Sequence, residues 1–187
     1  NLKKAKAHLY DSYAATPWLG QIAWGDHDMF HSNDKFAGRM MAVSKALSGG
    51  PVYLSDPHDH LDIGNIKPLC YQDGLLLRPL APAAPLPEDL FHALVSKRLH
   101  RVMAPLANQS MALAVYNFHG DAKQHAPVFS TTFLPADYAA AGGMIQPSAG
   151  PWEPPTEGLV VFDVYAQSAG PLSDGYDVTI KGFGDNL

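Results

Sequence analysis

The residues best suited to chemistry are two carboxylates two positions apart, Asp26 and Asp28. They follow an apolar stretch that ends at Trp24, and Met29 comes directly after them. If that stretch is an extended strand, side chains at i and i+2 point to the same side. Two close carboxylates raise at least one pKa unless they bind ligand hydroxyls. A sugar supplies such hydroxyls, and Trp24 or Phe30 offers a flat apolar face. The alternative is a solvated loop in which one aspartate caps the next helix.

A second polar cluster, S-D-P-H-D-H over residues 55–60, follows another apolar stretch. His58 and His60 with neighbouring carboxylates could bind a metal, and His27 and His31 could supply further nitrogens. That pattern would suit a metal-dependent hydrolase. The alternative is a turn, because Asp-Pro and nearby polar residues favour turns. No HExxH, EF-hand or phosphate-loop motif occurs in the sequence.

A weaker candidate is Trp152, which lies among Pro151, Pro154 and Pro155. Its ring could serve as a platform for a sugar, and the strand-rich region around it could form a non-catalytic carbohydrate-binding module. The alternative is a loop anchor.

Composition excludes several functional classes. The chain has 187 residues, 47% of them hydrophobic, with 13 Lys+Arg against 18 Asp+Glu. With this acidic balance, the composition shows no excess of basic residues of the kind that binds nucleic acid. No apolar run approaches the roughly 20 residues of a membrane helix, so we expect a soluble protein without a membrane partner. The single cysteine, Cys70, excludes an internal disulfide.

Apolar spacing predicts two helices, each of which precedes a strand-like stretch and a polar cluster. The first spans residues 3–13 and ends at or before Pro17, and the second spans residues 35–47. Strands are predicted at 18–24, feeding the loop of the acidic pair, and at 51–54. This alternation is typical of a parallel sheet or barrel, in which ligands bind at the carboxyl ends of strands.

The second half of the chain differs in texture. Residues 79–87 are rich in Pro and Ala and are interpreted as a linker, and a short helix is predicted at 88–99. Alternating apolar residues between Gly/Pro turns then predict antiparallel strands at 111–118, 128–134, 158–166 and 176–181.

Residues 26–32 (D-H-D-M-F-H-S) and 48–56 (S-G-G-P-V-Y-L-S-D) resemble the raffinose synthase and seed imbibition protein branch of glycoside hydrolase family 36. That branch has D-W-D-M-F-H-S and S-G-G-P-[IV]-Y-[VL]-S-D. Residues 73–78 resemble its D-G-x-x-L-R, and residues 115–120 resemble its G-V-F-N-x-Q-G. Three departures leave the choice of substrate open: His27 replaces a Trp, residues 57–60 replace P-G-x-H, and His119 replaces a Gln.

The resemblance implies an α/β plus β fold. The chain would hold the C-terminal part of a (β/α)8 barrel, namely its last two strands and helices, in residues 1–80. Residues 81–187 would hold a linker and part of an antiparallel β-domain. A complete barrel takes about 250 residues, so we expect the chain to be a C-terminal fragment that packs against the remainder of its own chain. An oligomer is also possible.

The resemblance also implies a retaining glycosidase mechanism acting on α-galactosides, either as an α-galactosidase or by raffinose-type α-galactosyl transfer. The family nucleophile lies in a K-x-D motif and its acid/base in R-x-S-D-D; no K-x-D precedes Asp26, and R-x-S-D-D is absent. We therefore expect both catalytic carboxylates upstream, and an inactive chain on its own. No metal or organic cofactor is implied.

Asp26 and Asp28 are too close in the chain to flank a scissile bond from opposite faces. The resemblance instead implies that Asp28 and Met29 line the pocket that binds galactose, and that Asp26 supports their geometry. Trp24 and Asp56 complete the predicted substrate-binding set.

Overall fold

The computed structural model describes residues 2–94, 96–119, 127–145, 148 and 150–180. The helices are α1 (Leu2–Leu19), α2 (Gly38–Ser48), α3 (Ile63–Ile66), α4 (Pro135–Ala140) and α5 (Gly142–Ile145), with a 3-10 turn at Lys67–Leu69. The strands are β1 (Ala84–Pro85), β2 (His100–Leu106), β3 (Ser110–Tyr116), β4 (Phe129–Phe133), β5 (Val160–Asp163), β6 (Ser168–Pro171) and β7 (Tyr176–Ile180). No described helix is long and apolar enough to cross a membrane.

Helix α1 confirms the first predicted helix and extends beyond it. Leu9 and Tyr13, on the predicted apolar face, are fully buried. The expected end at Pro17 is wrong, because the helix continues to Leu19 with the proline inside it. Pro17 lacks an N–H group, but the next turn still closes through the 2.8 Å bond from Gly20 N to Thr16 O.

Helix α2 confirms the second predicted helix, with a later start. Asp34 Oδ1 accepts the N–H groups of Phe36 (2.8 Å) and Ala37 (2.9 Å), which holds these residues in a turn before the helix begins. Phe36 is therefore 47% exposed, whereas Met40 and Leu47 of the predicted stripe are buried. The helix ends at Gly49, whose φ of 69° lies in the left-handed region that favours glycine.

The predicted strand at 51–54 is reduced to its last residue: Leu54 forms an isolated parallel bridge with Phe30, on the other side of α2. Phe30 N donates to Tyr53 O at 3.1 Å, and Ser55 N donates to Phe30 O at 2.9 Å. The predicted strand at 18–24 is wrong: Trp18 and Leu19 belong to α1, residues 20–22 form a turn and residues 23–29 have no regular structure. The acidic pair therefore precedes the paired residue Phe30 instead of following a strand. The described residues form no closed barrel.

Strands β2 and β3 form an antiparallel hairpin, in which Val102 is opposite Ala114. Strand β1, in the Pro/Ala-rich segment, pairs with β2 through Ala84 and Met103. Strand β3 matches the strand predicted at 111–118. The helix predicted at 88–99 is wrong, because the described residues there form turns.

The remaining strands form two antiparallel pairs. Strand β4 pairs with β7, with Thr131 opposite Val178, and β5 pairs with β6, with Val161 opposite Gly170. The antiparallel strands predicted at 128–134 and 158–166 are confirmed with shorter bounds. The strand predicted at 176–181 is confirmed over 176–180, residue 181 being outside the described residues, and β6 was not predicted.

One core joins the helices to the β2–β3 hairpin. Its buried residues are Leu9, Tyr13, Phe30, Met40, Met41, Ala42, Leu47, Leu69, Ala83, Val102, Ala104, Ala114, Tyr116 and Phe118. The hydroxyls of Tyr13 and Tyr116 lie 2.7 Å apart within it. This core therefore includes residues on both sides of position 80. A second core packs β2, β3, β4 and β7 together, through residues such as Phe133, Val178 and Ile180.

Gly50 gives a direct test of how closely α2 approaches the segment before Phe30. A Cβ at Gly50 would lie 2.3 Å from Gly25 O, a distance at which the backbone has to move. We expect Gly50→Ala to lower the free energy of unfolding by about 2 kcal/mol or more, measured by urea denaturation. Gly143→Ala is the control, because a Cβ there meets no atom within 4 Å. Equal stability of the two variants would contradict the close approach.

Candidate functional site

The acidic pair forms a defined, exposed turn. Asp26 Oδ1 accepts the N–H of Asp28 at 2.8 Å, and Asp28 Oδ1 accepts the N–H of Met29 at 2.7 Å. Asp28 has a φ of 65°, in the left-handed region that residues other than glycine rarely adopt. Such conformations persist where surrounding contacts hold them, and they cluster at functional sites. The side chains of this turn, which we call the acidic turn (residues 26–29), are exposed except for His27.

Trp24 lies just before the acidic turn and packs against the end of α2. A Cβ at Gly49 would lie 2.0 Å from Cζ3 of the Trp24 ring, so only glycine leaves room for the indole. The ring is still 45% exposed, and Met29 is 59% exposed. Trp24, Met29 and the two aspartates therefore share one short segment with surface available to a ligand.

His27 occupies the opposite side of the acidic turn and is buried. Its ring meets Tyr13 edge-on, with centroids 5.1 Å apart. Burial lowers the pKa of His27 to about 4, and the Lys45 and His8 charges add to the shift while Asp26 opposes it. The imidazole is therefore neutral near pH 7 and anchors the acidic turn in the core.

Lys45 of α2 lies beneath the acidic turn with its side chain almost fully buried. Its Nζ donates a hydrogen bond to the backbone oxygen of His27 and lies 5.5 Å from the centroid of the Phe30 ring. Burial lowers the pKa of Lys45 to about 8, although the Asp28 and Asp26 carboxylates act in the opposite direction. A cation is thus placed between α2 and the acidic turn.

Asp56 fixes the loop that follows Phe30. Its Oδ2 accepts the N–H of Ser32 at 2.8 Å, and its Oδ1 accepts the N–H of Asn33 at 3.2 Å. Partial burial would raise the pKa of Asp56, but these hydrogen bonds, with the nearby His31, hold it below its usual value. Both carboxylate oxygens are therefore used by the protein itself.

Ser32 extends this network. Its side chain is fully buried, and its Oγ accepts the N–H of Asp62 at 2.8 Å. Its backbone oxygen accepts a hydrogen bond from Asn65 Nδ2 at 2.8 Å. Ser32 and Asp56 together join the two parallel segments to α3.

The described residues do not bring a metal site together. They contain no group of three or more His, Cys, Asp or Glu side chains placed to hold an ion. His27 is buried in the core, and His60 contacts the neighbouring Asp59 at 3.8 Å on the surface. The metal-dependent hypothesis thus has no geometric support in the part of the chain that is described.

Trp152 is packed against the protein. The centroid of its ring lies 5.4 Å from that of Tyr138 in α4, and the backbone N–H of Trp152 donates to Ala139 O at 2.9 Å. A Cβ at Gly142 would lie 2.7 Å from Cδ1 of the indole. The half-buried ring therefore anchors a loop onto α4 and α5, which is the alternative to a sugar platform.

The segment that carries the acidic turn, α2 and Asp56 also decides the family. Residues 4–123 match the family described as raffinose synthase or seed imbibition protein Sip1. The chain belongs to this family. The match covers both helices of the site and the β2–β3 hairpin beneath them.

Curated relatives agree with the raffinose synthase family. The chain is 35% identical over 107 residues to a probable galactinol–sucrose galactosyltransferase 4 of Arabidopsis thaliana, which covers 54% of the chain and 10% of that protein. It is 31% identical over 102 residues to a stachyose synthase of Pisum sativum, covering 54% of the chain and 11% of that protein. A galactinol–sucrose galactosyltransferase of Oryza sativa subsp. japonica is 39% identical over 74 residues, or 40% of the chain and 9% of that protein. The chain spans about a tenth of the length of these relatives.

Two residues of the candidate site were not predicted, Lys45 and Ser32. Lys45 lies four residues after Met41 and three before Ser48, and all three side chains are buried on α2. A lysine on the buried face of the predicted helix is therefore the signal that could have identified it. Ser32 carried no such signal, because its partners come from residues 56–65.

The Asp56 network predicts a pH-dependent contribution to stability. Because the pKa of Asp56 is lowered in the folded protein, its contribution is present above the usual value of 3.8 and is lost as the pH falls through the lower folded value. We expect Asp56→Asn to reduce the free energy of unfolding by about 1 kcal/mol at pH 7, and by less at pH 3, in urea titrations. Asp59→Asn, which removes an exposed carboxylate nearby, should change stability by less than about 0.5 kcal/mol. A loss that is equal at both pH values would contradict this role for Asp56.

Proposed function

We propose that this chain contributes part of the sugar pocket of an enzyme that acts on α-galactosides with a retaining mechanism. Family membership and relatives named as galactosyltransferases support this class of substrate. The names of these relatives favour α-galactosyl transfer over hydrolysis. In either case the protein has to hold a galactosyl group while a bond at its anomeric carbon breaks.

The observation that carries the proposal is the conformation of the acidic turn. The carboxylates of Asp26 and Asp28 accept hydrogen bonds from backbone N–H groups within the turn, and Asp28 has a left-handed backbone conformation. Both side chains remain exposed. In this proposal Asp28 and Met29 line the galactose pocket, and Trp24 offers the flat face of its ring. Carboxylates accept strong, charge-assisted hydrogen bonds from sugar hydroxyls, which suits them to holding a ring in one orientation.

Asp26 and Asp56 have supporting roles in this proposal. The Asp26 carboxylate orients Asp28 by accepting a hydrogen bond from the backbone N–H of Asp28. Asp56 holds the loop after Phe30 through Ser32 and Asn33. Neither residue needs to contact the reacting carbon for the pocket to depend on it.

The two catalytic carboxylates are proposed to lie in other parts of the polypeptide. A retaining glycosidase needs a nucleophile and an acid/base about 5–5.5 Å apart on either side of the scissile bond. Asp26 and Asp28 are committed to one tight turn, which does not suit that task. The absence of a K-x-D or R-x-S-D-D motif from the 187 residues supports the same division of roles.

Exposed apolar side chains support a larger assembly around residues 1–80, which we propose to be the end of a (β/α)8 barrel. Parallel strands are normally covered on both faces. Here large apolar residues lie exposed from the end of α1 to the segment before β1, including Trp18, Leu19, Ile22, Tyr53, Leu54, Tyr71, Leu75 and Leu80. The remainder of the enzyme's own chain, or a second copy, would cover them.

Replacing Asp28 tests the sugar pocket. In the full-length enzyme, we expect Asp28→Asn to reduce kcat/KM for an α-galactoside by about 100-fold or more, because the charged acceptor is lost. Asp11→Asn, which changes an exposed carboxylate on α1, is the matched control and should retain activity. Wild-type activity in the Asp28 variant would exclude this residue from the pocket.

Activity of the 187-residue chain tests where the catalytic carboxylates lie. We expect the purified chain to release no galactose from a chromogenic α-galactoside and to transfer none to sucrose, while the full-length enzyme turns over. Real turnover by the 187-residue chain, abolished by Asp26→Asn or Asp28→Asn, would overturn the proposal and place a catalytic carboxylate in the acidic turn.

A further inference from the structure

The acidic turn is held from below by a buried cation. The Lys45 side chain is 1% exposed, and its Nζ bonds to the carbonyl of His27, the residue between the two aspartates. Placing an ammonium in a protein interior is costly, and such groups are retained where they serve a specific arrangement. The partner atom is a backbone oxygen, so the lysine acts on the path of the chain.

Lys45 lies close to the residues that flank the acidic turn on both sides. One turn of α2 further on, Gly49 packs against the Trp24 ring, and Gly50 approaches the carbonyl of Gly25. The same ammonium lies over the ring of Phe30, the residue that forms the parallel bridge to Leu54. Lys45 therefore sits between two fixed points of the backbone, one on each side of the acidic turn.

We propose that Lys45 is a positioning residue, whose buried ammonium holds the acidic turn in the shape that binds the galactosyl group. This inference rests on the function proposed above. Lys45 does not touch the sugar in this proposal: it acts through the His27 carbonyl and through its charge on Asp26 and Asp28.

The charge of Lys45 makes this arrangement sensitive to alkaline pH. The groups that face it are Asp26 and Asp28 in the acidic turn and the neutral His27, which in turn faces His8 of α1. Burial lowers the pKa of Lys45 to about 8, so the ammonium is present below that pH and is lost above it. The shape that depends on the ammonium is lost in the same direction.

The first test is the pH profile of kcat/KM in the full-length enzyme. We expect the wild-type value to fall above about pH 8, and the fall to move beyond pH 10 in Lys45→Arg, whose guanidinium stays charged. Lys45→Met should lower kcat/KM at pH 7 by about 10- to 100-fold, with its melting temperature unchanged or raised, since an apolar side chain of similar length fills the site. A purely structural lysine would instead lose stability in the Met variant.

A second buried lysine provides the matched control. Burial also lowers the pKa of Lys6 to about 8, but its Nζ bonds to the carbonyls of Asn117 and His119, away from the acidic turn. Lys6→Arg should leave the alkaline fall where it is in the wild type. The proposal is overturned if Lys6→Arg moves the fall and Lys45→Arg does not, or if Lys45→Met retains wild-type kcat/KM.

Hydrogen exchange separates this inference from the proposed function. In full-length protein without sugar, peptides covering residues 24–31 should exchange faster in Lys45→Met than in wild type or Lys45→Arg, because the N–H groups of Asp28 and Met29 lose their fixed geometry. If the wild type turns over no α-galactoside at any pH, the proposed function fails, and this measurement alone decides whether Lys45 holds the acidic turn. Unchanged exchange in Lys45→Met would overturn the inference.

Discussion

The close approach of the chain before Phe30 to the C-terminal end of α2 is the constraint on which the site depends. Two glycines make it possible, since Gly49 leaves room for the Trp24 ring and Gly50 for the Gly25 carbonyl. Once the backbones are this close, Lys45 reaches the carbonyl of His27 and the histidine ring enters the core against Tyr13. The exposed aspartates are therefore positioned by contacts on the buried side of the acidic turn. A small shift of α2 would move all of them together.

Sequence patterns predicted the elements that depend on local periodicity. Both long helices follow from apolar residues at helical spacing, whereas the helix–strand alternation around α2 yields only the single parallel bridge between Phe30 and Leu54. The patterns failed where a distant contact decides. Residues 18–24 are apolar enough for a strand, yet Trp18 and Leu19 belong to α1, and the Trp24 ring packs against Gly49 from an irregular segment. Strand β2 was missed because it contains Arg101 and Pro105. Its arginine is buried against Asp89 at 2.7 Å, and such a pairing cannot be read from the strand itself.

Two of the buried cations in the described region, Arg101 and Lys45, are stabilised in different ways, and the difference bears on function. Arg101 forms ion pairs with Asp89 at 2.7 Å and Glu88 at 2.8 Å, so its charge is balanced where it lies. Lys45 bonds to a neutral carbonyl and feels the two aspartates of the acidic turn through charge. The first arrangement secures a strand. The second leaves a cation whose compensation depends on where Asp26 and Asp28 are, which couples the charge of α2 to the geometry of the acidic turn.

The β2–β3 hairpin supports this arrangement from the other side of the core. Tyr13 contacts the His27 ring, and its hydroxyl lies 2.7 Å from that of Tyr116 on β3. Burial of His27, and with it the path of the acidic turn, therefore requires strands that follow residue 80. The amino-acid pattern changes at that position, but one hydrophobic core contains residues from both sides of it. The family match, which runs on to residue 123, covers the same structural unit. Within this unit Tyr13 of α1, backed by Tyr116 of β3, packs against the histidine, Lys45 of α2 supplies the cation, and Asp26 and Asp28 present their carboxylates to solvent.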